Sequence, residues 1–266
     1  MSRSGVGVWR GLWRLIVLLL MAGLGLQLYF VCRIAMMSVI DPQSTTFQRS
    51  EAWRLLVQKH EIAWRQQWVD ADEISAQLKR AVIASEDAGF AEHSGIEWDA
   101  LERAWERNLV AEARAAKTNE QLEKRAAAKA RPNAEPTTAK RVAPKIVGGS
   151  TITQQLAKNL FLGPERSIAR KAQEFAITFM LENLLGKQRI LEIYLNNVEW
   201  GEGLFGAEAA SRHYFGSSAA RLGANQAAHL AVMLPAPKRF EKRPNSAYVN
   251  GRAATIAARM NSVELP

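Results

Sequence analysis

Apolar positions along the chain fall into two regimes. Residues 15–32 form an uncharged run, LIVLLLMAGLGLQLYFVC, closed by Arg14 and Arg33. A helix crossing a bilayer needs roughly 20 apolar residues. Residues 34–40 extend the run, so the pattern predicts a transmembrane anchor over 15–39. Beyond it, apolar residues recur every three or four positions, the period of helices with one buried face. Trp53, Leu56, Val57, His60 and Trp64 form one such set. Ile74, Leu78, Ala81, Val82 and Ser85 form a second, with Asp70 or Asp72 as its N-cap, and Trp98, Leu101, Trp105 and Leu109 a third. After Gly148-Gly149, Ser150 is expected to cap a helix beginning TITQQLAKNL, and Ser167 one reading IARKAQEFAITFMLENLL. Helical patterns over 187–195, 206–214, 225–234 and 250–260 complete the set, with Pro235 and Pro237 stopping the penultimate one. No internal repeat and no alternating strand pattern is visible. The expected fold is mainly α, with an N-terminal transmembrane helix.

The flanking charges orient the anchor. Arg3, Arg10 and Arg14 precede it, which places residues 1–14 in the cytoplasm and the remainder across the membrane. A cleavable signal peptide has a shorter apolar region, about 7–15 residues, and a small-residue cleavage site. This run is longer and no A-x-A site follows, so the anchor is read as uncleaved. The single cysteine, Cys32, excludes an internal disulfide.

The net charge of +9 favours an anionic partner: nucleic acid, lipid head groups or a phosphate-bearing substrate. Most of the excess is local. Residues 107–145 hold ten Lys/Arg against four Glu, a net +6, and few large apolar residues. Pro132, Pro136 and Pro144 break the second half. The stretch is read as a basic insertion, a solvated helix followed by a flexible loop, inside a domain over 50–266. It carries no nucleic-acid recognition motif, and it is expected outside the cytoplasm, so nucleic acid is not the expected partner.

Four polar segments interrupt the helical pattern. The first is EDAGFAEHSG, residues 86–95, where a predicted helix ends. A carboxylate at such a junction can face a cleft, and desolvation there raises its pKa toward that of a usable base. An ordinary surface pair, Glu86 and Asp87, fits the same letters. The second, GSTITQQLAKN over 149–159, offers a helix start with free N–H groups and a dense set of donors: Ser150, Thr151, Gln154, Gln155, Lys158 and Asn159. The third, RSIARKAQE over 166–174, places Arg166, Arg170 and Lys171 beside Glu174. Arg170 and Glu174 share a helix face, either as a plain ion pair or as part of a cluster facing phosphate. The fourth, KQRILEIYLN over 187–196, is core with Glu192 and Asn196 four residues apart.

Together these segments resemble the glycosyltransferase domain of peptidoglycan polymerases, as in class A penicillin-binding proteins and monofunctional biosynthetic transglycosylases. The family's marks E-D-x-x-F-x-x-H-x-G, G-x-S-T-I-T-Q-Q-L-x-K-N, R-K-x-x-E and K-x-x-I-L-E-x-Y-L-N stand here at 86–95, 149–159, 170–174 and 187–196, in the family order. A fifth, an Ala-Ala-x-x-Tyr-Phe-Gly run, is similar to residues 209–216. The resemblance covers about residues 75–245.

It implies a lysozyme-like, mainly helical domain on the outer face of a bacterial inner membrane. It implies catalysis by Glu86, with Glu174 as second carboxylate. Asp87, Phe90, His93, Gly95, Ser150, Thr151, Gln154, Gln155, Asn159 and Asn196 would line the substrate site, and Lys158, Arg166, Arg170 and Lys171 would hold pyrophosphate. The implied substrates are lipid II and a lipid-linked glycan chain, joined with inversion as undecaprenyl diphosphate leaves. Other cell wall synthesis or division proteins are implied as partners. No cofactor is required; in some members a divalent cation, Mg or Mn, assists at the pyrophosphate, but no dedicated ligand cluster is legible. An activated donor needs cations at the leaving phosphate and one base at the acceptor alcohol, which is the inventory present. A lytic transglycosylase or lysozyme-like hydrolase is the alternative, though it gives no reason for the cationic cluster. The chain contains no S-x-x-K and no K-T-G, so a monofunctional enzyme is expected.

Overall fold

The computed structural model describes residues 3–129, 141–144, 148–165 and 167–266, with backbone only for 3–8 and 126–129. Its helices are α1 (Arg3–Met36), α2 (Thr46–Lys59), α3 (Ala76–Glu86), α4 (Trp98–Lys129), α5 (Ile152–Phe161), α6 (Ile168–Leu184), α7 (Lys187–Asn197), α8 (Ala207–Phe215), α9 (Ala224–Met233), α10 (Pro237–Phe240) and α11 (Ala247–Arg259). Three very short strands, β1 (Arg65–Gln66), β2 (Glu199–Gly201) and β3 (Leu204–Phe205), form one sheet in the order β1-β3-β2. The sequence pattern did not predict them, because two or three residues are too few to show alternation.

The expected anchor lies within one continuous helix. In α1, the 28 residues Trp9–Met36 are long and apolar enough to cross a membrane, with mean hydropathy 2.4 over their 18-residue window. That length is about 42 Å at the helical rise, against a hydrocarbon core of about 30 Å. The C-terminal end of α1 belongs to the folded core. Phe30, Ile34 and Met37 are buried there, α1 packs on α6, and the Gln27 and Gln173 side-chain amides bond reciprocally at 2.8 and 3.1 Å.

Contacts divide the chain into two compact units, residues 1–95 with 152–266, and residues 96–151. In the first, α9 packs against α3 and α11, while α5 packs against α6, α2 and α7. Leu78, Val82, Ile83, Leu156, Ile177, Leu181, Ile190 and Leu230 fill the interior. Each contributes roughly 1.5–3 kcal/mol by leaving water, which fixes the helix ends that carry polar groups. The cap of α3 is Ser75, whose Oγ accepts the Leu78 N–H at 3.1 Å. Asp70, expected as a cap there, instead precedes a short 3-10 turn, Ala71–Glu73.

Helix α2 reverses the expected face. Trp53, Leu56 and Val57 are exposed, while Gln48, Glu51 and Leu55 point inward. The buried polar groups are satisfied. Gln48 closes a capping box with Thr45 and donates to the Asn197 carbonyl at 3.2 Å. Glu51 pairs with Arg54 and with Lys238 from α10.

The second unit is built on α4, 32 residues long. The helix continues past residue 107, where the composition changes, so the solvated helix expected there is the continuation of the third predicted helix. The Asn119 amide accepts the Val142 N–H at 2.7 Å and donates to its carbonyl at 3.0 Å, fastening the returning segment to α4. Residues 130–140 and 145–147, most of the expected loop, lie outside the described residues.

Candidate active site

Helix α3 stops at Glu86 because Asp87 turns extended, with φ −164°. Both Asp87 oxygens are then engaged. Oδ2 accepts the first N–H of α5, from Ile152, at 2.9 Å, and Oδ1 lies 2.7 Å from His93 Nε2. His93 Nδ1 accepts the Gly95 N–H at 3.1 Å, so Nε2 carries the proton toward Asp87. Gly95 has φ +86°, and a Cβ there would meet Thr178 at 2.7 Å and the Glu182 side chain at 2.8 Å. Phe90 is fully buried, beneath the Lys187 ammonium at 4.5 Å and edge-on to His93. At these positions, expected as substrate contacts, Asp87, Phe90 and Gly95 are buried and His93 is half-buried, with Asp87 and His93 hydrogen-bonded within the protein.

Glu86 is half-buried. Gln155 Nε2, one turn into α5, donates to its Oε2 at 3.0 Å. Burial is the leading influence on Glu86 and raises its pKa, joined by the nearby Asp87 charge. The hydrogen bonds from Gln155 and Ser85 and the Arg252 charge from α11 pull the other way. The net direction is upward, as a base working near neutral pH requires.

Lys158 and Asn159 follow Gln155 along the helix by three and four residues, which puts them on one face. Lys158 is exposed to solvent, yet protein crowds it enough that desolvation comes first and lowers its pKa. Glu174 and Glu86 both oppose that shift, and Arg170 and Lys171 reinforce it. One ammonium thus feels both expected carboxylates and both cations of α6. Lys158, Asn159 and Arg170 also line a cavity of about 320 Å³, closed by Phe47, Leu162 and Pro164.

On α6, Ser167 caps the helix as expected, accepting the Arg170 N–H at 3.1 Å. Glu174 is buried, 3.2 Å from Arg170 Nη1 and in contact with Lys171 Nζ. Arg166 lies outside the described residues, and Ser150 and Thr151 belong to the second unit. Helix α5 begins at Ile152. Gln154 turns into the interior, fully enclosed.

Asn196 is not a cleft residue. Its amide exchanges hydrogen bonds with the Val69 backbone at 3.0 and 2.9 Å and donates to the Glu192 carbonyl at 3.0 Å. The Glu192 carboxylate accepts from the Ala71 N–H and from Arg189, so the two side chains brace the 69–71 segment separately. Sequence reasoning missed Tyr194, read as core, whose hydroxyl donates to Gln155 Oε1 at 3.0 Å. A buried tyrosine needs a partner for its O–H, and that was the available signal.

A partly desolvated carboxylate within the electrostatic reach of a lysine and arginine cluster, on a helical scaffold, is an arrangement suited to group transfer. The Transglycosylase family profile matches residues 55–141 and 136–261. The chain is 48% identical over 261 residues to the biosynthetic peptidoglycan transglycosylase of Burkholderia thailandensis, covering 98% of this chain and 86% of that protein. It is 46% identical over 240 residues to the protein of the same name from Bordetella pertussis, covering 90% and 88%. The counterpart in Burkholderia vietnamiensis is 49% identical over 245 residues, covering 92% and 87%. The chain belongs to the transglycosylase family, whose domain is lysozyme-like.

Proposed function

We propose that this chain polymerises lipid II into glycan strands, with Glu86 as the base and Lys158, Arg170 and Lys171 as the diphosphate-binding cations. The broader class, a peptidoglycan glycosyltransferase, follows from the family and from relatives covered over most of their length. The observation that supports the finer reading is that Lys158 and Arg170 line one cavity, with Lys158 under the influence of the Glu86, Glu174, Arg170 and Lys171 charges.

The acceptor hydroxyl gives its proton to Glu86 as its oxygen attacks the anomeric carbon of the lipid-linked chain. The new C–O bond forms as the bond to the diphosphate oxygen breaks, with inversion. Charge gathers on the departing undecaprenyl diphosphate, where Lys158 and Arg170 flank the cavity. Glu174 holds Arg170 and Lys171 in place by neutralising part of their mutual repulsion. This reading needs no resident cofactor. A Mg or Mn ion, where used, would bind chiefly through phosphate oxygens, because Asp87 already serves His93 and Ile152, and Glu174 serves Arg170 and Lys171.

The apolar part of α1 would anchor the chain in the bacterial inner membrane, N-terminus inside, with 50–266 working on the outer face. A tethered enzyme meets lipid-linked substrates at high effective concentration. The basic 107–145 insertion and other cell wall synthesis or division proteins are further parts of this reading. Labelled lipid II, given to the purified full chain in liposomes with and without a chelator, tests it. Long strands and released undecaprenyl diphosphate support polymerisation. Unchanged lipid II together with cleavage of preformed glycan would support a lytic enzyme instead.

A further inference from the structure

We propose that Tyr194 is a positioning residue for the transfer reaction: its hydroxyl fixes the orientation of the Gln155 amide, and through it the charge state of Glu86. The proposal rests on the reading of Glu86 as base.

The geometry is a three-member relay across three helices. Tyr194 on α7 donates to Gln155 Oε1 at 3.0 Å, and Gln155 on α5 donates through Nε2 to Glu86 Oε2 at 3.0 Å. A glutamine amide has two nearly isosteric ends and can be turned around at little steric cost. Turned one way it presents N–H to Glu86 and favours the carboxylate. Turned the other way it presents oxygen, which favours the protonated acid. A phenol can donate or accept, but a buried one must place its own O–H proton, and Gln155 Oε1 is the acceptor it has among the described residues, so Tyr194 favours the first orientation. The ring is buried in the core and has one position. Burial, then the charges of Glu86 and Asp87, hold the phenol well above its ordinary pKa, so it stays a donor over any working pH.

The charged groups around Glu86 are accounted for from each side. Asp87 lies on its own segment, Arg252 faces it from α11, and Lys158 feels it from α5. Arg252 and Lys158 supply field strength. Among the described residues, Gln155 and Ser85 bond the carboxylate directly, Ser85 only at 3.4 Å. The amide is therefore the strongest local handle on the base, and a hydroxyl with no access to substrate holds it.

The test is the pH profile of kcat for lipid II polymerisation by the full chain. Tyr194→Phe removes one oxygen and keeps the ring. Its ascending limb is expected to move to higher pH by about one unit, with KM and the high-pH plateau little changed. A uniform loss at every pH, with the limb unmoved, would mean a structural role only and overturn the proposal. In a Gln155→Met background Tyr194→Phe should add no further shift, since the relay is already cut; a further shift would also overturn it. Should Tyr194→Phe fail to fold, 3-fluorotyrosine at position 194 serves instead. The more acidic phenol strengthens both bonds of the relay, and the limb should move to lower pH; an unmoved limb contradicts the proposal. Glu86→Gln separates the two layers. If it retains wild-type turnover, the base assignment fails and the relay with it. If it is inactive while Tyr194→Phe tracks wild type at every pH, the relay alone fails.

Discussion

Asp87 accepts the Ile152 N–H at 2.9 Å, tying the end of α3 to the start of α5 across 65 positions of sequence. The bond sets the distance between Glu86 and Gln155 without involving substrate. Its other oxygen serves His93. Asp87→Ala should therefore destabilise the fold by about 1–3 kcal/mol, the cost of stranding buried donors. It should also lower kcat in the fraction that stays folded. Thermal melts and initial rates on the same preparation check both effects.

Gly95 sits where no side chain fits. Its φ of +86° disfavours L residues, and a Cβ would press on Thr178 and Glu182. Glu182 in turn holds Thr153 at 2.6 Å and Lys187 at 2.9 Å. Gly95→Ala is expected to cost about 2 kcal/mol or more through backbone strain and overpacking. A fall in melting temperature of several degrees is the readout.

Glu199 predicts how stability varies with pH. Among the described residues its Oε1 has only a long ion pair, 3.5 Å from Lys238, which lies closer to Glu51. Burial first, then the Glu51 and Glu241 charges, raise its pKa to about 7 against the opposing Lys238. Between the ordinary 4.5 and about 7 the folded chain holds a proton that the unfolded chain has released. This contribution is complete below pH 4.5 and is lost as pH rises to about 7, roughly 3 kcal/mol in all. Glu199→Gln should remove that part of the decline, so that its melting temperature exceeds wild type at pH 8 and matches it near pH 5.

Lys158→Met keeps the length of the side chain and removes its charge. The account expects kcat to fall about 10²–10³-fold, the usual loss when one preorganised group at a developing charge is removed. Stability should stay equal or rise, because desolvation already disfavours the charged form. Initial rates with lipid II, beside a melting curve, decide it.

The helices around the cleft were legible where a helical period met a local cap, as at α6 with Ser167. Glu86, Lys158 and Arg170, to which the proposed function gives its chemistry, were legible as residue types at motif spacing. What was not legible was the division between residues that face the cleft and residues that brace it. Asn196 meets Val69 across 127 positions and Asp87 meets Ile152 across 65, and no local pattern records such partners. The face of α2 was misread for the same reason. Glu51 turns inward because Lys238, 187 positions away, neutralises it there, while Trp53 is left outside. Tyr194 fitted an apolar helical pattern, and only its hydroxyl contact at Gln155 separates it from ordinary core.

The central claim is that one carboxylate takes the acceptor proton. Polymerisation of labelled lipid II by wild type and Glu86→Gln, with matched melting curves, measures it directly. The account predicts strands from wild type and at least a thousandfold less product from the folded variant, about 4 kcal/mol in the barrier. Strands formed by folded Glu86→Gln at wild-type rate would contradict it.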